Sequence, residues 1–190
     1  DFDALRAEFE KGRKRTEAER LRAAIDRKLR QLVHMNRSRM DYLERFQQMI
    51  DEYNAGSINV QLFLNQLLEF AQELNEEEKR GMAEGLTEEE LAVFDLLTRP
   101  DMSLTEKQKN QVKRVARELL TSLKAEKLVL DWRKRQQSRA EVLVTIEDIL
   151  DRGLPEEFTK GIYQQKCEGV YQHVFDSYFG EGQGVYAAVA

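Results

Sequence analysis

Two capping boxes commit the middle of this chain to helix. In Leu86-Thr-Glu-Glu-Glu90-Leu91 a threonine precedes a glutamate at the spacing at which each side chain satisfies the other's free backbone N–H. The flanking Leu86 and Leu91 are placed to staple the first turn. Thr105 and Gln108 repeat the spacing, and between the two boxes Arg99-Pro100 closes the first helix, because the residue before a proline is pushed out of helical φ/ψ. The pattern predicts one helix from Glu88 to about Thr98. It predicts another after Thr105, with Val112, Val115, Ala116, Leu119 and Leu123 on one side.

The remainder keeps the same period. Thr16 and Glu19 have capping-box spacing, and the apolar positions Leu21, Ile25, Leu29, Leu32, Met40, Leu43, Phe46 and Ile50 predict one long amphipathic N-terminal helix to about Tyr53. Tyr53-Asn-Ala-Gly-Ser57 stops it, and a second helix turns Val60, Phe63, Leu64, Leu67, Leu68, Ala71 and Leu74 inward, so the pair is expected as an αα-hairpin. A short acidic helix is expected over Asn75–Glu84, ended by Gly85. Later, Trp132, Ala140, Leu143, Ile146 and Leu150 share a face; the β-branched run Ala140–Ile146 also fits a short extended piece, with helix preferred. A last helix carries Phe158, Ile162, Cys167 or Val170, Val174 and Tyr178, and the glycine-rich tail from Gly180 is expected to be mobile.

With only 2 prolines and 34% charged residues, the fold class is all-α, an irregular bundle of about six to eight helices. The expected organisation is a partly ordered flank over 1–18, a single helical assembly domain over 19–179 and a flexible tail over 180–190. A chain that opens on Asp1 is expected to be a piece of a longer polypeptide. No apolar run approaches the roughly 18 residues of a membrane span, and the single Cys167 makes no internal disulfide, so a reducing cytoplasm is the expected location.

The net charge of −5 conceals alternating blocks: +4 over 1–45, −10 over 46–108, +7 over 109–139 and −6 over 140–190. Alternation permits a basic face on an acidic protein. On the helix after Thr105, Lys109, Lys113, Arg117, Lys124 and Lys127 fall on one ridge beside the apolar stripe, about 27 Å long at helical rise. That ridge suits a phosphate backbone, or else it lies against the chain's own acidic block at Glu69–Glu106. Continuing the helix would rotate Arg133 and Lys134 into the apolar stripe, so a break is expected near Leu128–Asp131, with Asp131 capping the next helix. Past the break Trp132 stands against Arg133, Lys134 and Arg135, with Arg139 beyond. Such a cluster is either solvated helix surface or a contact surface for a phosphate backbone or an acidic partner.

Catalytic patterns fail on context. There is no phosphate loop and no dinucleotide-type glycine turn. His34, His173 and Cys167 are too scattered for a zinc site. Glu77-Glu-Lys79 with Asp51 imitates the spacing of a metal-dependent nuclease, but on helices rather than adjoining strands, and reads as acidic surface. Catalytic, cofactor-binding and metal residues are therefore assigned to none.

Four strings carry a resemblance: NRSRMDYLERFQQMIDEYNAGS (Asn36–Ser57), LTEEELAVFDLLTRP (Leu86–Pro100), KLVLDWRKRQQSRAEVLVTIEDILD (Lys127–Asp151) and YQQKCEGVYQHVFDSY (Tyr163–Tyr178). Over about Glu19–Tyr178 the chain resembles the C-terminal helical region of the motor/endonuclease (R) subunit of type I restriction enzymes. The resemblance implies a parent ATP-dependent deoxyribonuclease and translocase, with ATP and Mg²⁺ serving the parent only. It implies two partners for this region: the methyltransferase, made of modification and specificity subunits, and double-stranded DNA. The expected function is non-catalytic assembly; the alternative is a DNA-binding helical module that guides DNA to the motor.

Overall fold

The computed structural model describes residues 2–187 and is all-α, with seven α-helices and one small hairpin among those residues. No described helix is long and apolar enough to cross a membrane. By its backbone contacts the chain divides into two compact units, Asp1–Glu84 and Gly85–Ala190.

The first unit is built from α1 (Phe2–Met35), α2 (Met40–Asn54) and α3 (Val60–Ala83). Helix α1 starts well before the expected Thr16, whose hydroxyl donates to the Gly12 carbonyl within the helix instead of capping it. Residues 2–18 of the expected flank are thus its first turns. The long helix expected to Tyr53 is interrupted at Asn36 (φ −148°, ψ 101°), whose Oδ1 accepts from Ser38 N at 3.1 Å to open a 3₁₀ turn, Arg37–Arg39. The interruption lets Arg39 turn fully inward. Its Nε donates to Glu77 Oε1 at 2.8 Å and its Nη1 to Leu32 O at 3.2 Å, while Arg80 Nε reaches Glu77 Oε2 at 2.9 Å.

Glu77 is therefore 5% exposed and not acidic surface. Burial pushes its carboxyl up, but the hydrogen bonds and charges of Arg80 and Arg39 outweigh this and hold it below the usual carboxylate range. The short helix expected over Asn75–Glu84 is the continuation of α3, since nothing after Leu74 breaks the helix before Gly85 (φ 69°). Ile25, Leu29, Leu32, Phe46, Phe63, Leu67, Phe70 and Leu74 form the core, with Tyr53 stacked on Phe63 at 4.2 Å and Phe46 on Phe70 at 5.5 Å.

The second unit contains α4 (Glu88–Thr98), α5 (Glu106–Ser122), α6 (Gln136–Gly153) and α7 (Lys160–Ser177). Both expected capping boxes are formed. Leu91–Asp95 and Leu97 are all buried, so α4 is enclosed on nearly every side by α5 and α7. Its last carbonyls are capped by Lys166, which donates to Leu96 O at 2.9 Å and Arg99 O at 2.5 Å. Of the five predicted apolar positions, Val112, Val115, Ala116 and Leu119 are buried on α5 and Leu123 is buried just past its end.

The break expected near Leu128–Asp131 is present: α5 loosens into a π-helical turn, Leu123–Lys127, and Asp131 is left-handed (φ 56°). Asp131 does not cap the next helix; its carboxylate pairs with Lys134 at 2.9 Å. A 3₁₀ turn, Trp132–Lys134, and an extended Arg135 then reset the helical phase. On α6 the buried face is accordingly Val142, Ile146, Ile149 and Leu150, while of the other expected positions Ala140 is exposed and Leu143 half-buried.

The tail expected to be mobile forms a hairpin over its described part. Strand β1 (Tyr178–Gly180) pairs antiparallel with β2 (Gln183–Gly184) around Glu181 (φ 50°) and Gly182 (φ 72°), two successive left-handed residues as a tight hairpin turn demands. Glu181 N donates to Leu128 O at 3.1 Å, and Tyr186 is 6% exposed. The rest of that tail, residues 188–190, lies outside the described residues.

Candidate functional site

The ridge on α5 faces its own unit's acid. Lys109 pairs with Glu106 at 3.3 Å and Lys124 with both oxygens of Glu89 at 3.0 Å. Arg117 donates to Gly85 O at 2.6 Å and stands 3.7 Å from Glu90. Lys113 lies 5.8 Å from the centre of the Phe94 ring. Of the five ridge cations, Arg117 and Lys124 thus meet Glu90 and Glu89 of the acidic first turn of α4 and Lys109 meets Glu106, contacts that belong to the internal alternative that the sequence left open. The Lys109, Arg117 and Lys124 side chains are 44–49% exposed, so each pair is worth at most about 1 kcal/mol. Their effect is to cancel the ridge's outward field more than to stabilise the fold. Lys127 is half-buried in the π-helical turn.

At the corner the cluster divides by role. Trp132 was expected on the contact surface but is completely buried: its Nε1 donates to Tyr178 O at 2.9 Å and its ring meets Phe175 edge-on at 5.8 Å. A large ring whose one donor finds a backbone acceptor gains more from burial than from exposure. Arg133 donates to Phe175 O at 3.2 Å and covers the rings of Phe175 (5.5 Å) and Phe179 (4.5 Å). Arg139 donates to Arg133 O at 2.7 Å. Lys134 and Arg135 point outward, and the proximity of Lys134 and then Arg135 lowers the pKa of Asp131.

Three apolar side chains surround this corner in the open: Val129 (42% exposed), Leu130 (53%) and Phe179 (43%). A Cβ on Gly180, which sits at φ 111°, would fall 2.5 Å from Val129 O and 3.5 Å from Leu130 Cα. The hairpin backbone is therefore pressed onto the corner, and only glycine permits the approach. Val129, Leu130 and Phe179 were not singled out in the sequence. The available signal was the hairpin pattern Tyr178-Phe-Gly-Glu-Gly-Gln-Gly-Val-Tyr186, which attaches Phe179 to an ordered turn.

Behind the hairpin is a cleft of about 320 Å³ lined by Glu89, Lys124, Leu128, Tyr178, Tyr186 and the glycines of the turn. Tyr178 donates to Glu89 Oε2 at 2.7 Å; burial, then that hydrogen bond and the carboxylate's charge, push its phenol pKa far up, so it stays neutral. The Glu89 carboxylate is already shared between Tyr178 and Lys124, which leaves it poorly suited to act as a base. No group of three or more His, Cys, Asp or Glu side chains among the described residues is arranged to hold a metal ion.

Comparisons with known proteins bear on this arrangement. A family model described as type I restriction enzyme HindI endonuclease subunit-like, C-terminal, matches residues 1–176. A putative type I restriction enzyme MjaIXP endonuclease subunit from Methanocaldococcus jannaschii is 29% identical over 110 residues, which is 57% of this chain and 10% of the relative. The chain thus matches about a tenth of that relative's length. No solved structure matches it.

Proposed function

The chain belongs to the family of C-terminal regions of type I restriction enzyme HindI-like endonuclease subunits, and from that premise we propose that it is a non-catalytic assembly domain. Its role is to hold the motor and endonuclease part of its parent against the methyltransferase core of modification and specificity subunits. ATP and Mg²⁺ serve the parent's other parts.

The observation that supports assembly over duplex tracking is the state of the α5 cations. Lys109, Arg117 and Lys124 face Glu106, Glu90 and Glu89, so the ridge presents a largely neutralised field. Affinity for a duplex depends on cations free to replace condensed counterions, and cations already matched by carboxylates displace few. DNA contact remains a second reading, carried by the outward Lys134 and Arg135.

Competition tests the proposal. Added in molar excess to a reconstituted restriction system, this chain should occupy the methyltransferase and suppress ATP-dependent DNA cleavage in proportion to its concentration. The chain itself should show no ATP hydrolysis or nicking above a heat-killed control. Undiminished cleavage at every excess contradicts the assembly role.

A further inference from the structure

We propose that the corner formed by Val129, Leu130, Arg133, Arg135 and Phe179 is a docking face for an acidic protein segment that carries an apolar anchor. The inference rests on the assembly reading and states where and by what chemistry it is realised.

Three observations converge on this face. First, its apolar side chains are exposed together on backbone that is otherwise tightly held. Trp132 is buried and bonded to Tyr178 O, Glu181 N is bonded to Leu128 O, and Gly180 lies so close to the corner that a Cβ on it would fall 2.5 Å from Val129 O. Nothing need reorganise for a partner to bind, which removes an ordering cost from association. Second, the composition is that of an interface centre: an aromatic ring with a guanidinium over its face at 4.5 Å, flanked by two aliphatic side chains. A phosphate backbone draws on cations and gains nothing from covering Val129, Leu130 and Phe179, whereas an apolar anchor on a protein does. Third, the surrounding charge is positive, since Arg133, Lys134, Arg135 and Arg139 outnumber Asp131 and the turn residue Glu181. The field therefore favours an acidic partner and discriminates against a basic one.

The test uses the whole chain, fluorescently labelled and titrated with the purified methyltransferase core of its own system, at low and at high salt. Two variants separate the two chemistries. L130S should weaken binding by about tenfold or more at either salt. R135E should weaken it mainly at low salt and slow association there. Both side chains are outward, and unchanged helicity and thermal midpoint show that each variant is folded. If the unaltered chain binds and both variants bind equally well, this face is not the dock, while the assembly reading stands. If the unaltered chain does not bind at all, the assembly reading fails and this inference fails with it. If the variants lose retention of duplex DNA but keep the methyltransferase, the face serves nucleic acid and the proposal is overturned. Concentration-dependent dimers of the chain that L130S dissolves overturn it as well, by making a second copy the occupant.

Discussion

Glu77→Ala should destabilise the chain by about 3–5 kcal/mol at neutral pH, because it strips the shared counter-charge from a fully buried Arg39 and a partly buried Arg80. The cost arises less from the attraction lost than from the two guanidinium groups left in a low-dielectric interior. Denaturant titration followed by circular dichroism measures it. The same pair predicts a pH dependence. Glu77's folded pKa lies below its ordinary value near 4.5, so the unfolded chain takes up the proton first as pH falls. Its contribution is complete above that ordinary value and is lost as pH drops through the lower, folded one. Glu77→Gln removes this component, so its stability should be lower at neutral pH and should decline less between neutral pH and the acid limb. A Glu77→Gln variant with the acid profile of the unaltered chain would show that the carboxylate is not ionised in the fold.

Trp132→Ala should be at least as damaging, costing about 3–5 kcal/mol by opening a cavity where a completely buried ring meets Phe175 and by leaving Tyr178 O without its donor. Trp132→Phe retains most of the volume and should cost about 1–3 kcal/mol, most of it from the missing indole donor. Because Trp132 is the single tryptophan, its emission in the unaltered chain reports this site alone and should be blue-shifted, moving red on unfolding. A red-shifted emission in the native chain would contradict the burial. Since Trp132 joins the corner to β1, its removal should also free the hairpin, seen as faster amide exchange at Glu181.

These two residues also mark where the sequence was readable and where it was not. Local signals were reliable: Thr87 with Glu90 and Thr105 with Gln108 set helix starts that the fold reproduces, because a capping box is decided within one turn. The corner near Leu128–Asp131 was legible for a different reason. Continuing α5 would have buried Arg133 and Lys134, and the break spares that cost.

Thr16 and Glu19 illustrate the limit of the same signal. The spacing is present, but the chain before it is helix-forming as well, so the threonine bonds inside the helix. Glu77 read as surface because its partner Arg39 is remote in sequence and a charged pair is buried only by tertiary approach. Trp132 beside three cations suggested a contact surface, yet its burial depends on β1, through Tyr178, a residue expected on the last helix. The sequence placed the cations of the α5 ridge on one line. Whether it faced solvent or Glu89 and Glu90 depended on how α4 packs against α5, which helical period alone does not encode.

For function, the outcome shifts weight from α5 to the corner. Cations expected to track a phosphate backbone are largely matched by acid from the same unit, and the outward surface that remains joins Lys134 and Arg135 to exposed Val129, Leu130 and Phe179. That combination serves protein association better than duplex tracking.

The most direct test of the assembly role is the salt dependence of the chain's affinity for nonspecific duplex DNA, with its affinity for the methyltransferase core measured in the same buffers. A slope of log K against log salt near −0.9 per neutralised phosphate counts the cations engaged. Weak duplex binding is expected, with a slope of about −2 or shallower from Lys134 and Arg135, beside methyltransferase binding that persists at high salt. A slope of about −5 or steeper, with no affinity for the methyltransferase, would mean that the α5 cations do meet phosphate, and would contradict the assembly role.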